Sequence, residues 1–306
     1  MTVNSATIGA DWFLNGLAQL QSQEVQTQRQ LSSGYSISSA ADDPAATQQL
    51  VDLGSSLAAV QTYQSSLGNV QAEASAADSA IGSAITLVQS AQSLAEQGAS
   101  STASAADQQN LAVQVQAIQQ QIVSLADTQV AGRYIFGGDQ DQSPPYQYDT
   151  SSATGVDALT AAPSTRTIVN PAGDTVYQSL TAGTIFDPST GGVPDATNTF
   201  AALQNLQTAL AANNTAGVGT ALSALESASS WLNQQQAYYG TAEQRLSAEQ
   251  NSVTGQITSI QTGISGIRDA NIAQDATDLT QESTDQQAAV AAQAAIPQKS
   301  LFDYLA

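Results

Sequence analysis

Eight apolar residues spaced by sevens, Val218, Leu225, Leu232, Tyr239, Leu246, Val253, Ile260 and Ile267, run along the C-terminal third of this chain, and Leu222, Ile257 and Ile264 fill part of the alternating seam. A seven-residue repeat split three and four keeps one stripe of an α-helix turned toward a partner helix along its whole length, which is the condition for coiled-coil packing. A second such stripe, Leu53, Val60, Leu67, Ala74, Ile81, Val88 and Ala95, is joined by Leu50, Leu57 and Ile85, and a third, shorter one runs through Leu111, Val115, Ile118, Ile122 and Leu125. The start signals agree with these periods. Asp43 before Pro44 supplies an N-cap carboxylate ahead of a proline suited to the first helical turn, and Asp107 is placed to cap the third stripe's helix. A helix from Leu50 to Ala95 would be about 70 Å long at 1.5 Å per residue, so the pattern favours an extended antiparallel helical bundle over a compact globule.

Composition narrows what such helices can do. Lys and Arg total 6 against 26 Asp and Glu, giving a net charge of −20, and no two cations are sequence neighbours. Phosphate recognition needs clustered cations, so nucleic acid is excluded as a partner, and an anionic membrane surface repels the chain. The acidity reads as a solubility device rather than as a recognition surface. With no Cys and no His, thiol nucleophiles, disulfides, the common zinc ligands and Ser-His-Asp triads are all absent. Residues 1–23 carry neither a basic segment nor an apolar run of the length a cleaved secretory signal needs, and no stretch approaches the roughly 20 apolar residues that span a bilayer.

The helical period disappears between Gly132 and Asn198, where Gly, Pro, Asp, Ser and Thr are dense. Short β-type runs replace it at Tyr134–Phe136, Tyr146–Tyr148, Arg166–Val169 and Thr175–Tyr177, the last two flanking the turn-rich Asn170-Pro171-Ala172-Gly173-Asp174. Helical order resumes with Phe200, Leu203, Leu206 and Leu210, so the two chain ends are expected to meet. The expected organisation is an N-terminal helix and linker over 1–42, a helical core over 43–131 and 199–268, a β-rich insert over 132–198, and a C-terminal helix over 269–306. The ends themselves are poor in large apolar residues, which predicts that they stay mobile in the monomer and order against neighbouring subunits.

Nothing in this composition points to catalysis. Asp42 and Asp43 read as turn caps rather than as an acid–base pair, and Asp139, Asp141 and Asp149 do not form an EF-hand, because Pro144 stands where that loop requires Gly. Gly137-Gly138 and Gly191-Gly192 precede no Lys-Ser/Thr element and read as turn glycines. No cofactor and no metal is expected.

The segment Leu31-Ser32-Ser33-Gly34-Tyr35-Ser36-Ile37-Ser38-Ser39-Ala40-Ala41-Asp42-Asp43-Pro44-Ala45 resembles the N-terminal signature shared by bacterial flagellins and hook–filament junction proteins. Asp269-Ala270-Asn271-Ile272-Ala273, Leu279-Thr280-Gln281 and the ending Ser300-Leu301-Phe302-Asp303-Tyr304-Leu305 are similar to the C-terminal one. Gly132-Arg133-Tyr134-Ile135-Phe136-Gly137-Gly138 and the later Gly183-Thr184-Ile185-Phe186 resemble the junction-protein branch in particular, since typical flagellins lack this pair. Two departures from the pattern are the absence of a basic residue near Ser36 and Asn271 in place of the usual Asp.

The resemblance implies a flagellin-like fold, mainly α with a small β insert, and a structural role at the hook–filament junction outside the cell. Flagellin itself or an acidic surface adhesin are the alternatives. It implies a homo-oligomeric ring, an adjoining hook-associated protein on the hook side, flagellin on the filament side, an export chaperone on the C-terminal segment, and type III export without a cleaved signal. The expected assembly residues are Leu14, Leu17, Leu31, Ile264, Ile267, Ile272, Leu279 and Leu301, with an intramolecular core as the competing reading for each.

Overall fold

The computed structural model describes residues 3–100, 103–160 and 163–295, with side chains from residue 11 to residue 294 within those spans. By packing, the chain forms two compact units, one from the chain ends up to Gln61 and from Gly255 onward, the other from Thr62 to Thr254.

The helices are α1 (Val3–Ser33), α2 (Pro44–Ala99), α3 (Ala105–Ala126), the single turn α4 (Ala182–Ile185), α5 (Thr199–Ala211), α6 (Thr215–Arg268) and α7 (Ile272–Ala295). The second unit is built on the parts of α2 and α6 that lie within it. These run antiparallel: Tyr63 Oη donates to Glu249 Oε1 at 3.1 Å, Gln64 Nε2 to Thr254 Oγ1 at 3.5 Å, and a Cβ on Gly82 would stand 3.1 Å from Gln236 Nε2. The seven-residue repeat is the reason they pair. Val218, Leu225, Leu232, Tyr239, Leu246 and Val253 are all buried, and so are the intervening Ala221, Ala228, Gln235 and Ala242. On α2 the buried row is Leu67, Val70, Ala74, Ala77, Ile81, Ala84, Val88, Ala91 and Ala95. Large residues and alanines alternate along both seams.

Helix α3 packs on α5, with Leu111, Val115, Ile118 and Ile122 turned inward. Its N-cap is Ser104 rather than the expected Asp107. Ser104 Oγ accepts from Asp107 N at 3.2 Å while Asp107 Oδ2 accepts from Ser104 N at 3.1 Å. The carboxylate acts three residues inside the helix in a reciprocal capping box, a role that spacing from the apolar stripe alone does not separate from an N-cap.

Between the helices lie four two-stranded antiparallel pairs rather than one sheet: β1 (Gln129–Val130) with β2 (Arg133–Tyr134), β3 (Tyr146–Tyr148) with β4 (Val156–Ala158), β5 (Thr167–Val169) with β6 (Thr175–Gln178), and β7 (Ser189–Thr190) with β8 (Val193–Pro194). The β5–β6 hairpin turns at Asn170–Asp174 as the sequence predicts, whereas β4, β7 and β8 lack an apolar alternation long enough to announce them. Phe136 lies outside the strand expected for it, because pairing stops at Tyr134 and the chain then dives into the core.

A partly buried charge network ties the β region to α2. Arg166 Nη2 meets Glu73 Oε2 at 2.8 Å and Arg166 Nη1 meets Asp141 Oδ2 at 3.5 Å, while Arg133 Nε reaches the same Asp141 oxygen at 2.7 Å. Removing one partner of such a pair strands the other charge away from water. Arg166→Ala is therefore expected to destabilise this unit by about 2–3 kcal/mol, and Arg166→Met with Glu73→Leu to recover most of that loss. Urea unfolding of the single and double variants checks both.

Asp127, the residue that ends α3, accepts from Tyr146 N at 3.3 Å, and burial pushes its carboxyl up to about 6 from an ordinary 3.8. The folded state thus holds this proton more tightly than the unfolded chain does. Its contribution to stability is fully present below pH 3.8 and is lost as pH rises through about 6. Asp127→Asn keeps an acceptor for Tyr146 N and removes the charge. The urea midpoint of the variant is expected to exceed that of the parent at pH 7, with the gap closing toward pH 4.

Candidate assembly surface

In the unit formed by the chain ends, α1 packs against α7. Its half-buried row is Phe13, Leu17, Leu20, Glu24, Thr27 and Leu31, again spaced four and three, with Thr27 the most buried. The facing row of α7 is mixed, with Asp275, Glu282 and Gln286 beside Leu279 and Ala289. Thr27 Oγ1 donates to Glu282 Oε1 at 3.1 Å, while Asp275 Oδ2 and Glu282 Oε2 are shielded from solvent without a protein donor. Within the described residues, α1 and α7 are helical in the single chain. The physical reason lies in their caps and in the α1–α7 seam, although that seam buries little apolar surface.

The loop after α1 and the end of α6 form a clasp that holds this unit together. Gly34 turns the chain with φ +76° and its carbonyl accepts from Ala270 N at 2.9 Å, Tyr35 bridges to Asp269, and Ser36 N and Oγ donate to Arg268 O at 2.7 and 3.0 Å. The Arg268 guanidinium sits 4.2 Å from the centre of the Tyr35 ring, a cation–π contact that joins the end of α6 to the loop after α1. Asp42 accepts from Ser38 N, Ser39 N and Ser38 Oγ at 2.8–3.0 Å, and the two backbone bonds chiefly hold its carboxyl below the ordinary 3.8. Asp43 Oδ1 caps α2 through Ala45 N and Ala46 N at 2.9 and 3.0 Å, with Pro44 opening the helix. Asn271 caps α7 through Gln274 N at 3.2 Å, a role in which Asn and Asp are near-equivalent.

The expected assembly residues divide into two sets. Leu17, Leu31 and Leu279 lie half-buried along the α1 and α7 rows, and Ile264 and Ile267 lie half-buried on the row by which α6 faces Leu50, Leu53 and Leu57 of α2, where a Cβ on Gly263 would stand 3.7 Å from Leu53 Cδ1. Leu14 and Ile272 are open to solvent at 59% and 48% exposure. Leu301 lies outside the described residues. Trp12, 77% exposed, escaped the sequence reading, and Val25 and Val290, also exposed, were not expected as assembly residues. Leu14, Ala18, Gln21 and Val25 form a second four-three-four stripe on α1, turned away from the first. The rarity of Trp, with 2 in the chain, was the available signal for Trp12.

The signature residues of the second unit serve one another. Ala131 and Gly132 both have positive φ, +52° and +77°, as a two-residue hairpin between β1 and β2 requires. Arg133 holds Asp141, whose carboxyl is kept low by the Gln142 amide and then by Arg133 and Arg166. Tyr134 N donates to Asp141 O at 2.9 Å. Gly137 N donates to Tyr134 O at 3.1 Å, and a Cβ there would stand 3.0 Å from Asp141 Cα; Gly138, at φ +58°, passes so close to Ser164 O that no side chain fits. These turns aim Phe136 inward. Its ring meets Phe186 edge-on at 5.6 Å and Tyr239 of α6 at 6.5 Å, and Phe186 lies 6.2 Å from Phe200. The two motifs that the sequence resemblance singled out thus meet at Phe136 and Phe186, with Tyr239 against Phe136.

Around this plug, Asp187 accepts from Asn198 Nδ2 at 2.5 Å and from Tyr146 Oη at 3.2 Å, and Asn198 Oδ1 caps α5 through Ala201 N at 2.8 Å. Burial, then the Asp187 charge, raises the Tyr146 phenol, and burial likewise raises Tyr177 and Tyr239, so all three stay protonated; Tyr239 Oη accepts from Leu180 N at 3.2 Å. Asp139, Asp141 and Asp149 do not converge: Asp139 caps Ser164 N, Asp141 pairs with arginines and Asp149 bonds Ser151. Among the described residues no group of three metal-ligating side chains occurs, and no helix is long and apolar enough to cross a membrane.

The paired terminal helices, the clasp and the aromatic plug define a protein built on helix pairing. The bacterial flagellin N-terminal helical region matches residues 7–141 and the bacterial flagellin C-terminal helical region matches residues 222–305, and the chain belongs to the bacterial flagellin superfamily, a structural component of the flagellum. It is 27% identical over 225 residues to the flagellar hook-associated protein 3 of Escherichia coli strain K12, covering 70% of this chain and 69% of the relative. Against the protein of the same name from Salmonella typhimurium it is 26% identical over 179 residues, 57% of this chain and 56% of that one. The flagellar junction protein FlgL of Legionella pneumophila has the same fold, with a TM-score of 0.55 at 12% identity over 72% of this chain and 99% of the other.

The two stripes of α1 should respond differently to substitution. Leu14→Asn with Val25→Asn is expected to leave the stability of the terminal unit within about 0.5 kcal/mol, since both side chains are exposed. Leu17→Ala with Leu279→Ala is expected to destabilise the α1–α7 pairing by about 1–2 kcal/mol. Amide hydrogen exchange in α1 and α7 distinguishes the two.

Proposed function

We propose that this chain is the subunit that joins hook to filament, assembled as a ring of identical copies with a second hook-associated protein on the hook side and flagellin on the filament side. The observation that carries this reading is the meeting of the two junction-type motifs at Phe136 and Phe186, 5.6 Å apart, in a chain whose ends belong to the flagellin superfamily. Assembly draws on the solvent-facing stripe of α1 and on Ile272 and Val290 of α7. Burying one large apolar side chain stabilises a contact by roughly 1.5–3 kcal/mol, so a few per subunit, repeated around a ring, hold a junction under load.

The same features support a reading of how the chain is exported. A thin, polar α1–α7 seam opens at little cost, and a chain without Cys carries no disulfide to bar passage through a narrow channel. The route is type III export without a cleaved signal, with a chaperone holding the C-terminal segment until assembly.

Deleting the gene in its own organism tests the reading. The expected outcome is hooks without filaments by electron microscopy and flagellin shed into the medium. Normal filaments and motility would overturn it.

A further inference from the structure

Beside the aromatic plug, wholly within the second unit, lies a cavity of ≈ 520 Å³. That is the size of a small-molecule site and more than a single amino-acid side chain fills. Tyr146 of β3, the α4 turn, the segments that flank β7 and β8, and Trp231 of α6 contribute to its wall. A Cβ on Gly183 would come within 3.6 Å of Tyr146 Oη, so the glycine keeps the flank of the phenol open.

Two observations point to a ligand. Thr160 lines the cavity at only 9% exposure, and its hydroxyl has no hydrogen-bond partner among the described residues, an uncommon state for a buried polar group. Asp187 and Asp195 also line it, no Lys or Arg does, and neither carboxylate takes part in an ion pair among the described residues. The partners of Asp187, Tyr146 Oη and Asn198 Nδ2, bring hydrogen bonds but no charge. The other donors of the wall are largely engaged: Trp231 Nε1 donates to Thr184 O at 3.1 Å, and the hydroxyls of Thr181 and Thr184 bond each other at 3.0 Å. With its N–H spent, the indole offers the cavity a π surface. A sugar, whose hydroxyls both donate and accept, needs donors that this wall does not spare, whereas an ammonium group only donates and is matched by two carboxylates and an aromatic ring.

We infer that this cavity binds a small diffusible organic cation, an aliphatic amine with one or more ammonium groups, on Asp187, Asp195, Thr160 and Trp231. Walls of low dielectric concentrate the field of the two carboxylates in the cleft and draw such a cation in. The site needs only the second unit and stands apart from ring assembly.

Spermidine titrated into the full chain tests this, read by indole emission in a Trp12→Phe background, where Trp231 is the one left of the 2 Trp in the chain. The expected result is a saturable change with a midpoint below about 1 mM. Asp195→Asn weakens it more than about tenfold, while Glu96→Gln, which removes an equal charge from an exposed position on α2, leaves it unchanged. The Asp195 side chain bonds no described residue, so its variant keeps the parent fold, which circular dichroism checks. No saturable change up to about 10 mM spermidine overturns the inference. An equal loss in Glu96→Gln, or the same change produced by Mg²⁺, also overturns it, because either marks diffuse attraction to a chain of net charge −20. A saturable response to N-acetylglucosamine with none to spermidine assigns the cavity to a neutral ligand and overturns it as well.

Discussion

A side chain that must return to the same face of a helix every seven residues has few ways to be buried except against another helix, and each unit of this chain is organised by that constraint. In the second unit it aligns α2 with α6 and turns α3 onto α5. In the terminal unit it sets the rows of α1 and of the end of α6. The difference between the units lies in what occupies the row. Where Leu, Ile and Val alternate with Ala the row closes to solvent; where α7 offers Asp275, Glu282 and Gln286, the row stays half-open.

Much of this was legible in the residues because a long repeat averages over local exceptions. The positions from Val218 to Val253 are buried without a miss, and Asp43-Pro44 opens α2 where its cap chemistry requires. The hairpin turning at Asn170–Asp174 was readable because turn residues sit between two β-branched runs. The strands β4, β7 and β8 were not, since runs of two or three residues leave no period to detect. What positions β4 is a docking surface distant in sequence: Gly155 lies against the amide of Gln119, which donates to Thr154 O at 2.7 Å.

The assembly residues were legible only in part, for a related reason. A heptad marks residues that face some helix but does not say whether that helix belongs to the same chain. Ile264 and Ile267 satisfy a seam with α2, while Leu14 and Val25, set about a third of a turn from the row by which α1 faces α7, remain open. Solvent exposure, which requires the fold, separates the two classes. The aromatic plug shows the reverse case, in which residues that looked like separate signatures, Phe136 and Phe186, form one object, with Tyr239 packed on Phe136.

The alternation of alanines with large residues along α2 and α6 has a thermal consequence. Alanine freezes no side-chain rotamers on burial and removes little apolar surface from water. Unfolding a unit so built exposes less hydrocarbon per residue than unfolding a leucine-filled core, so its heat-capacity increment is small and its stability curve shallow. Such a unit keeps much the same cohesion in cold water and in warm.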